Sequence, residues 1–325
     1  MAAITNTYTR FDAKGVREDL SNVVYQISPE ETPFLSNVGK ESVKNTFYEW
    51  QTDDLASAVS TNAQIEGDDI TSFTAAVPTV RLGNYTQISR KDVVISGTLE
   101  SVDKAGRRSE LSYQMAKRSA ELKRDMETVM LANQAAAAGS TSAARKTGAL
   151  QAFLKTNTNE GTGGGDPSYT SIPDAARTDA TAGDLRSFSE VLLKDVIQKV
   201  WTQGGKPSMV MAGPVNKQNL SKMAGIAAQR FNAQGAKPST IIGAADVYVS
   251  DFGNVTIVPN RFQRERDVFV LDTEYASVAY LRPFQTTELA KTGDAEKRML
   301  LVEFGLKVMN EKAHGAVYDL NSIIQ

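Results

Sequence analysis

Cysteine is absent from this 325-residue chain, and histidine occurs once, as His314 between Ala313 and Gly315. The first absence excludes disulfides, thiolate metal sites and cysteine nucleophiles together. The second excludes the multi-histidine sites that most transition metals use. A lone histidine can act as a general base, but a place near the end of the chain between small residues favours a structural role. Long apolar runs are missing too, so no segment reads as a membrane-spanning helix. An excess of either charge sign is also lacking. The formal net charge is −2, without the basic excess of an intrinsic duplex binder. The opening stretch MAAITNTYTRFDAKG has neither an apolar h-region nor a glycine after the methionine, so export and myristoylation are not expected.

What is present fits a globular chain of one large or two medium domains, 41% apolar and 23% charged. The dominant pattern is an amphipathic stretch at about 108–134. Leu111, Met115, Leu122, Met126 and Val129 fall at helical spacings on one stripe, with Ser119 in its polar gap. Lys117, Arg118, Glu121, Lys123, Arg124, Asp125 and Glu127 make a mixed-charge face, expected to be solvated. A long helix with one narrow apolar stripe suits a beam against which a sheet packs. Arg107 and Arg108 stand at its expected start, where the macrodipole disfavours cations, so an acidic group is expected opposite.

Upstream, residues 1–44 read as an arm, with a short helix over Asp12–Ile27 broken by Pro29 and Pro33. Strands are expected at Thr46–Trp50 and Val77–Ile88. Between them, Gln51–Ala76 carries Asp53, Asp54, Glu66, Asp68 and Asp69 and no lysine or arginine. Two strands around so long a polar excursion make an extended β-arm, and such a ribbon needs a surface to lie on. Residues 139–184, rich in glycine, serine and threonine, read as flexible linker or surface loop.

Residues 185–260 read as a small α/β unit. Its expected helices follow Phe188–Val200 and Leu220–Phe231, and its strands Met209–Met211, Val247–Val249 and Val255–Val258. Residues 266–320 read as strands, with the polar turn Lys291–Glu296 closing an antiparallel hairpin. The long helix is the unclaimed apolar partner for these strands. The first domain is therefore expected to be discontinuous, with the α/β unit inserted.

Few signals point to chemistry. The run Gly161–Gly165 lacks the following lysine and hydroxyl residue of a phosphate loop, and Gly204-Gly205-Lys206-Pro207 has a proline where the hydroxyl residue belongs. Glu66, Asp68 and Asp69 lack the spacing of a calcium loop. Trp50 and Trp201 are expected in the core or at its margin. No constellation supports catalysis, and no cofactor or metal is implied.

Several stretches carry a resemblance. Thr32-Pro33-Phe34, Asn45-Thr46, Glu49-Trp50-Gln51, Asp53, Leu55 and Glu66-Gly67-Asp68 come first. Ala105-Gly106-Arg107, Ser109-Glu110-Leu111, Glu121-Leu122-Lys123-Arg124-Asp125, Glu127 and Lys312-Ala313-His314-Gly315 follow in order. Together they resemble the SU-ten-like head proteins, within the Hong Kong 97-type major capsid proteins of tailed bacteriophages.

The resemblance implies an α+β fold and the following division. Residues 1–44 would be an N-terminal arm and 45–90 an extended β-hairpin E-loop. Residues 91–184 and 266–325 would form a P domain of spine helix and antiparallel sheet, with an inserted A domain at 185–265. It implies assembly into an icosahedral shell around double-stranded DNA, in the host bacterial cytoplasm, as hexamers and pentamers in a virion capsid. A separate scaffolding protein, a portal and a decoration protein are implied partners, with weak non-specific contact to packaged DNA and no membrane. The E-loop would lie over a neighbour's P domain, Asp53, Asp54, Glu66, Asp68 and Asp69 meeting Arg107, Arg108, Lys117 or Arg118. The hairpin tip, with Lys291, Asp294 and Glu296, would meet neighbours near a local threefold axis. No lysine lies between Asn45 and Arg90, so lysine-based welding of the E-loop is not expected. An encapsulin-like cargo shell shares the implied fold, and an α/β enzyme is the rival from another class.

Overall fold

The computed structural model describes residues 31–323 except 68, 71–72, 105, 107 and 224–245. The expected helix Asp12–Ile27, the end of the expected Leu220–Phe231 helix, Asp68 and Arg107 lie outside the described residues. The long helix, α3 here, spans Glu110–Leu131. Ser109 caps it by accepting from the Ser112 amide, and the Glu100 carboxylate accepts from the amides of Glu110 and Leu111 at 3.0 and 3.3 Å. Glu100 thus places a carboxylate at the helix start, and the Ser109 side chain and these two amides hold its carboxyl below its usual range.

The buried stripe of α3 is Leu111, Leu122, Met126, Met130 and Leu131, with Met115 and Val129 at its margin. It lies against a four-stranded sheet of order β1-β10-β11-β4. These strands are Gly39–Ser42, Ala276–Glu288, Ala295–Val308 and Gln87–Ser96 respectively. Each arm of the C-terminal hairpin is a single long strand. In β10 the register shifts between Tyr280 and Gln285, around Pro283, the kind of irregularity that lets a proline sit in a strand.

The other face of the spine helix's core meets a six-stranded sheet of order β5-β12-β9-β6-β8-β7. Its strands are Thr158–Asn159, Gly315–Val317, Val268–Leu271, Met209–Ala212, Gly253–Pro259 and Val247–Ser250. Alternation sorts its side chains: Met209, Met211, Phe269 and Leu271 face the α3 side, whereas Val210, Ala212, Val268 and Val270 face helix α5 (Glu190–Thr202). Contact is close where α5 crosses β12, since a Cβ on Gly315 would stand 2.5 Å from Val196. This sheet runs across the boundary expected at 265/266, because β9, β12 and β5 join strands of the 185–265 unit. Pairing between segments so far apart leaves no mark in local composition.

Residues 139–184 are not a flexible linker but a packed loop. Arg177 is buried and its guanidinium bonds buried Asp319 at 3.0 Å and Asp179 at 2.6 Å. Asp319 also accepts from the amides of Ala180 and Gly161. A Cβ on Gly164 would stand 2.3 Å from its carboxylate. The glycines are there because the chain closes tightly around this ion pair, a reason for glycine that flexibility does not share.

Candidate assembly interface

The two-stranded ribbon β2–β3 (Phe47–Thr52 and Val80–Tyr85) is held firmly at its base. Tyr48 is buried and donates to the Leu306 carbonyl at 2.8 Å. Asn84, fully buried, donates through Nδ2 to Thr147 and to the carbonyls of Gly148 and Leu306, and accepts from the amides of Tyr85 and Gly148. Pairing ends at Thr52 and Val80. Beyond it the chain projects, and its apolar side chains are bare: Leu55 is 99% exposed, Ile65 81%, Phe73 88% and Val77 81%. Burying each such side chain is worth about 1.5–3 kcal/mol. The ribbon thus ends in a clamped, unburied arm whose apolar content is available to a partner.

The structure disperses the charged residues expected at this interface. Asp53, Asp54, Glu66 and Asp69 lie exposed on the arm, but Asp54 pairs with this chain's own Lys312 at 2.7 Å. Arg108 and Lys117 are exposed, and Arg118 pairs with Glu121 on its own helix at 2.7 Å. Lys291 and Glu296 face each other across the hairpin tip at 3.6 Å. Asp294 has a packing role as well: its carbonyl accepts from the Gly97 amide, and a Cβ on Gly97 would stand 2.2 Å from its side chain. The tip is thereby seated on the short helix Gly97–Ser101, α2.

Three features escaped the sequence reading. Trp201 was expected in the core or at its margin, yet it is 54% exposed and packs on Phe252 with ring centroids 5.0 Å apart. Its partner belongs to a distant hairpin, which spacing alone does not reveal. Glu127, expected on the solvated face, is fully buried and accepts from the amides of Phe34 and Leu35. The bare apolar ladder of the arm was masked by its acidic composition, although Leu55, Ile65 and Phe73 were in view.

The chemistry available is structural. His314 is fully buried; its Nδ1 accepts from the Asp272 amide at 3.3 Å and its Nε2 faces the Tyr275 carbonyl at 3.4 Å. Burial holds its imidazole down to about 4. Among the described residues no group of three or more histidine or acidic side chains is placed to hold a metal ion, and no helix is long and apolar enough to cross a membrane.

A model of the SU10 major capsid protein family matches residues 3–321. A protein named major capsid protein of Escherichia phage Phieco32 is 29% identical over 348 residues, covering 96% of each chain. The capsid asymmetric unit of Cyanophage A-1(L) holds a chain similar in structure at a TM-score of 0.64 and 10% identity, over 94% of this chain and 97% of that one. The capsid structure of Cyanophage P-SCSP1u does so at 0.61 and 13%, over 98% and 97%. At such identities these structural likenesses concern the fold, which is the mixed α+β Hong Kong 97-type architecture.

Proposed function

The chain belongs to the SU10 major capsid protein family, and from that membership we propose that its projecting arm is the device by which copies join. The protein is a major capsid protein of a tailed phage, a component of the virion shell built from many copies of itself. Residues 1–44, 45–90, 185–265 and the remaining P-domain segments are its proposed arm, E-loop, A domain and P domain. The arm, residues 53–79, lies over the P domain of the next subunit, and its apolar side chains supply most of the contact. The acidic residues Asp53, Glu66, Asp68 and Asp69 meet Arg107, Arg108 and Lys117 of that neighbour and set the register. Exposed pairs contribute about 0.2–1 kcal/mol each, so they steer more than they bind.

Arm and receiving surface differ, so the contact is heterologous and closes into rings, here hexamers and pentamers. Assembly takes place in the host bacterial cytoplasm around a separate scaffolding protein and a portal. A decoration protein is a further proposed partner, and the packaged double-stranded DNA makes weak non-specific contacts. The observation carrying this reading is a ribbon anchored at Tyr48 and Asn84 whose outer apolar side chains have no cover among the described residues of their own chain.

The double variant L55S/F73S tests it. Its subunit should unfold at the same urea concentration as the parent, because these side chains bury nothing in the monomer. Size-exclusion chromatography and electron microscopy should find no closed shells. Shells of normal size and yield from this variant would overturn the docking role. The encapsulin-like alternative predicts particles without packaged phage DNA, which nucleic-acid analysis of purified shells reads directly.

A further inference from the structure

Glu127 sits on a stripe otherwise filled by Leu122, Met126 and Met130, and like them it is fully buried. A carboxylate there is costly, since its partners are neutral donors rather than a cation. Burial pushes its carboxyl above the usual range in spite of those donors. An apolar residue would fill the site at lower cost, so the acid must supply something that packing does not.

What it supplies is direction. The helix α1, Pro33–Asn37, begins with a proline that has no amide hydrogen, Thr32 offers it no side-chain cap, and its first turn holds no acid. Its next amides, of Phe34 and Leu35, are buried and need acceptors. Glu127 Oε1 takes the first at 2.8 Å and Oε2 the second at 2.9 Å. Asn260 Nδ2 donates to Oε1 at 2.6 Å. Asn260 follows the last residue of β8; its amide donates to the Ala212 carbonyl at 2.9 Å and its Oδ1 accepts from the Phe262 amide at 2.8 Å. One carboxylate therefore ties together the point where the N-terminal segment enters the body, the spine helix, and the strand pair β6–β8 of the six-stranded sheet.

We propose that Glu127 is a positioning residue for assembly, a latch that makes the entry of the N-terminal segment and the seating of strands β6 and β8 on the spine helix a single coupled arrangement. The inference rests on the capsid reading for its consequence but not for its local content. A subunit lacking the latch still folds, through Phe34, Met126 and the sheets, but helix α1 and the β8 end move independently. Rings built from such subunits lose their common geometry.

The test reads the latch in the isolated subunit by amide hydrogen exchange and its consequence by electron microscopy. N260A touches neither Phe34 nor Leu35, yet coupling predicts that their exchange accelerates at least tenfold. E127Q keeps one acceptor oxygen but turns an amino group toward its donors. It should accelerate exchange at Phe34, Leu35 and Asn260 together, with no matching change at Val302 or Phe304. E127L, which restores apolar packing, should assemble into irregular or open shells. Unchanged exchange at Phe34 and Leu35 in N260A would overturn the coupling. Normal closed shells from E127L would overturn the role in assembly. If the parent chain forms no shells while N260A still accelerates those amides, the capsid reading fails and the latch stands.

Discussion

The arm at 53–79 and the loop at 139–184 are both polar and rich in alanine, serine and threonine, and have opposite fates. The arm leaves Leu55 and Phe73 bare, whereas the loop encloses an arginine whose side chain is 0% exposed. What separates them is where the partner lies. The loop finds its counter-charge in Asp319 of its own chain, so its backbone is locked by a buried ion pair. The arm's apolar side chains Leu55, Ile65, Phe73 and Val77 are bare, and on the proposed docking their cover comes from another copy. Polarity alone therefore does not distinguish a loose segment from a tightly held one.

The strongest way to break this contrast is R177A. It removes the nearer of two arginines from the buried Asp319 carboxylate, leaving Arg266 at 3.4 Å, and should cost about 3 kcal/mol, read as a lower urea midpoint of the subunit. A loss under 1 kcal/mol would mean that the loop is held by something else. Next in size is acid sensitivity of the loop's anchorage, where Asn157 Nδ2 donates to the His314 carbonyl at 3.1 Å. The imidazole's folded value of about 4 lies below the usual 6.5. The folded state thus binds fewer protons between those values, and its stability is full above pH 6.5 and falls as pH drops toward 4. Relative to H314Q, the parent should lose about 2 kcal/mol between pH 7 and 5. Glu160, raised to about 7 by burial and the neighbouring Asp166, acts with the opposite sign and cancels in that difference.

The sharpest test compares two glycines. G164A drives a Cβ into a carboxylate that Arg177 holds in place, whereas Gly67, at φ 81°, has no atom within 4 Å. G67A should cost about 1 kcal/mol or less, from backbone strain in an arm that is already free. G164A should cost about 2–3 kcal/mol, within the range for overpacking a filled site. Thermal melts of the two variants that coincide would erase the distinction between the segments.

Much of the architecture was legible because it is periodic. The spine helix announced itself through Leu111, Leu122 and Met126, and the ribbon and the C-terminal hairpin through alternation around polar turns. Glu127 was not legible. A glutamate flanked by charged residues on a helix reads as solvated, and its amide partners lie 92 and 93 positions away. The available hint was at the other end: Pro33 opens a short helix with no capping acid nearby, so its amides had to be satisfied from elsewhere. The six-stranded sheet was hidden for the same reason, since β5, β9 and β12 meet the α/β unit only through long-range pairing. The charged contacts rest on composition alone, and within the chain Lys312 and Glu121 are near partners of Asp54 and Arg118.

The clamp at Tyr48 and Asn84 has a mechanical consequence. Rotation at that base is resisted by several buried hydrogen bonds, while no ladder pairing stiffens the chain beyond Thr52 and Val80. An extended segment of this kind reaches roughly 40 Å. On the proposed docking, changes of tilt between adjoining copies would be absorbed in the arm rather than in the body, and one rigid protomer would serve at both flat and sharply curved places on a closed surface.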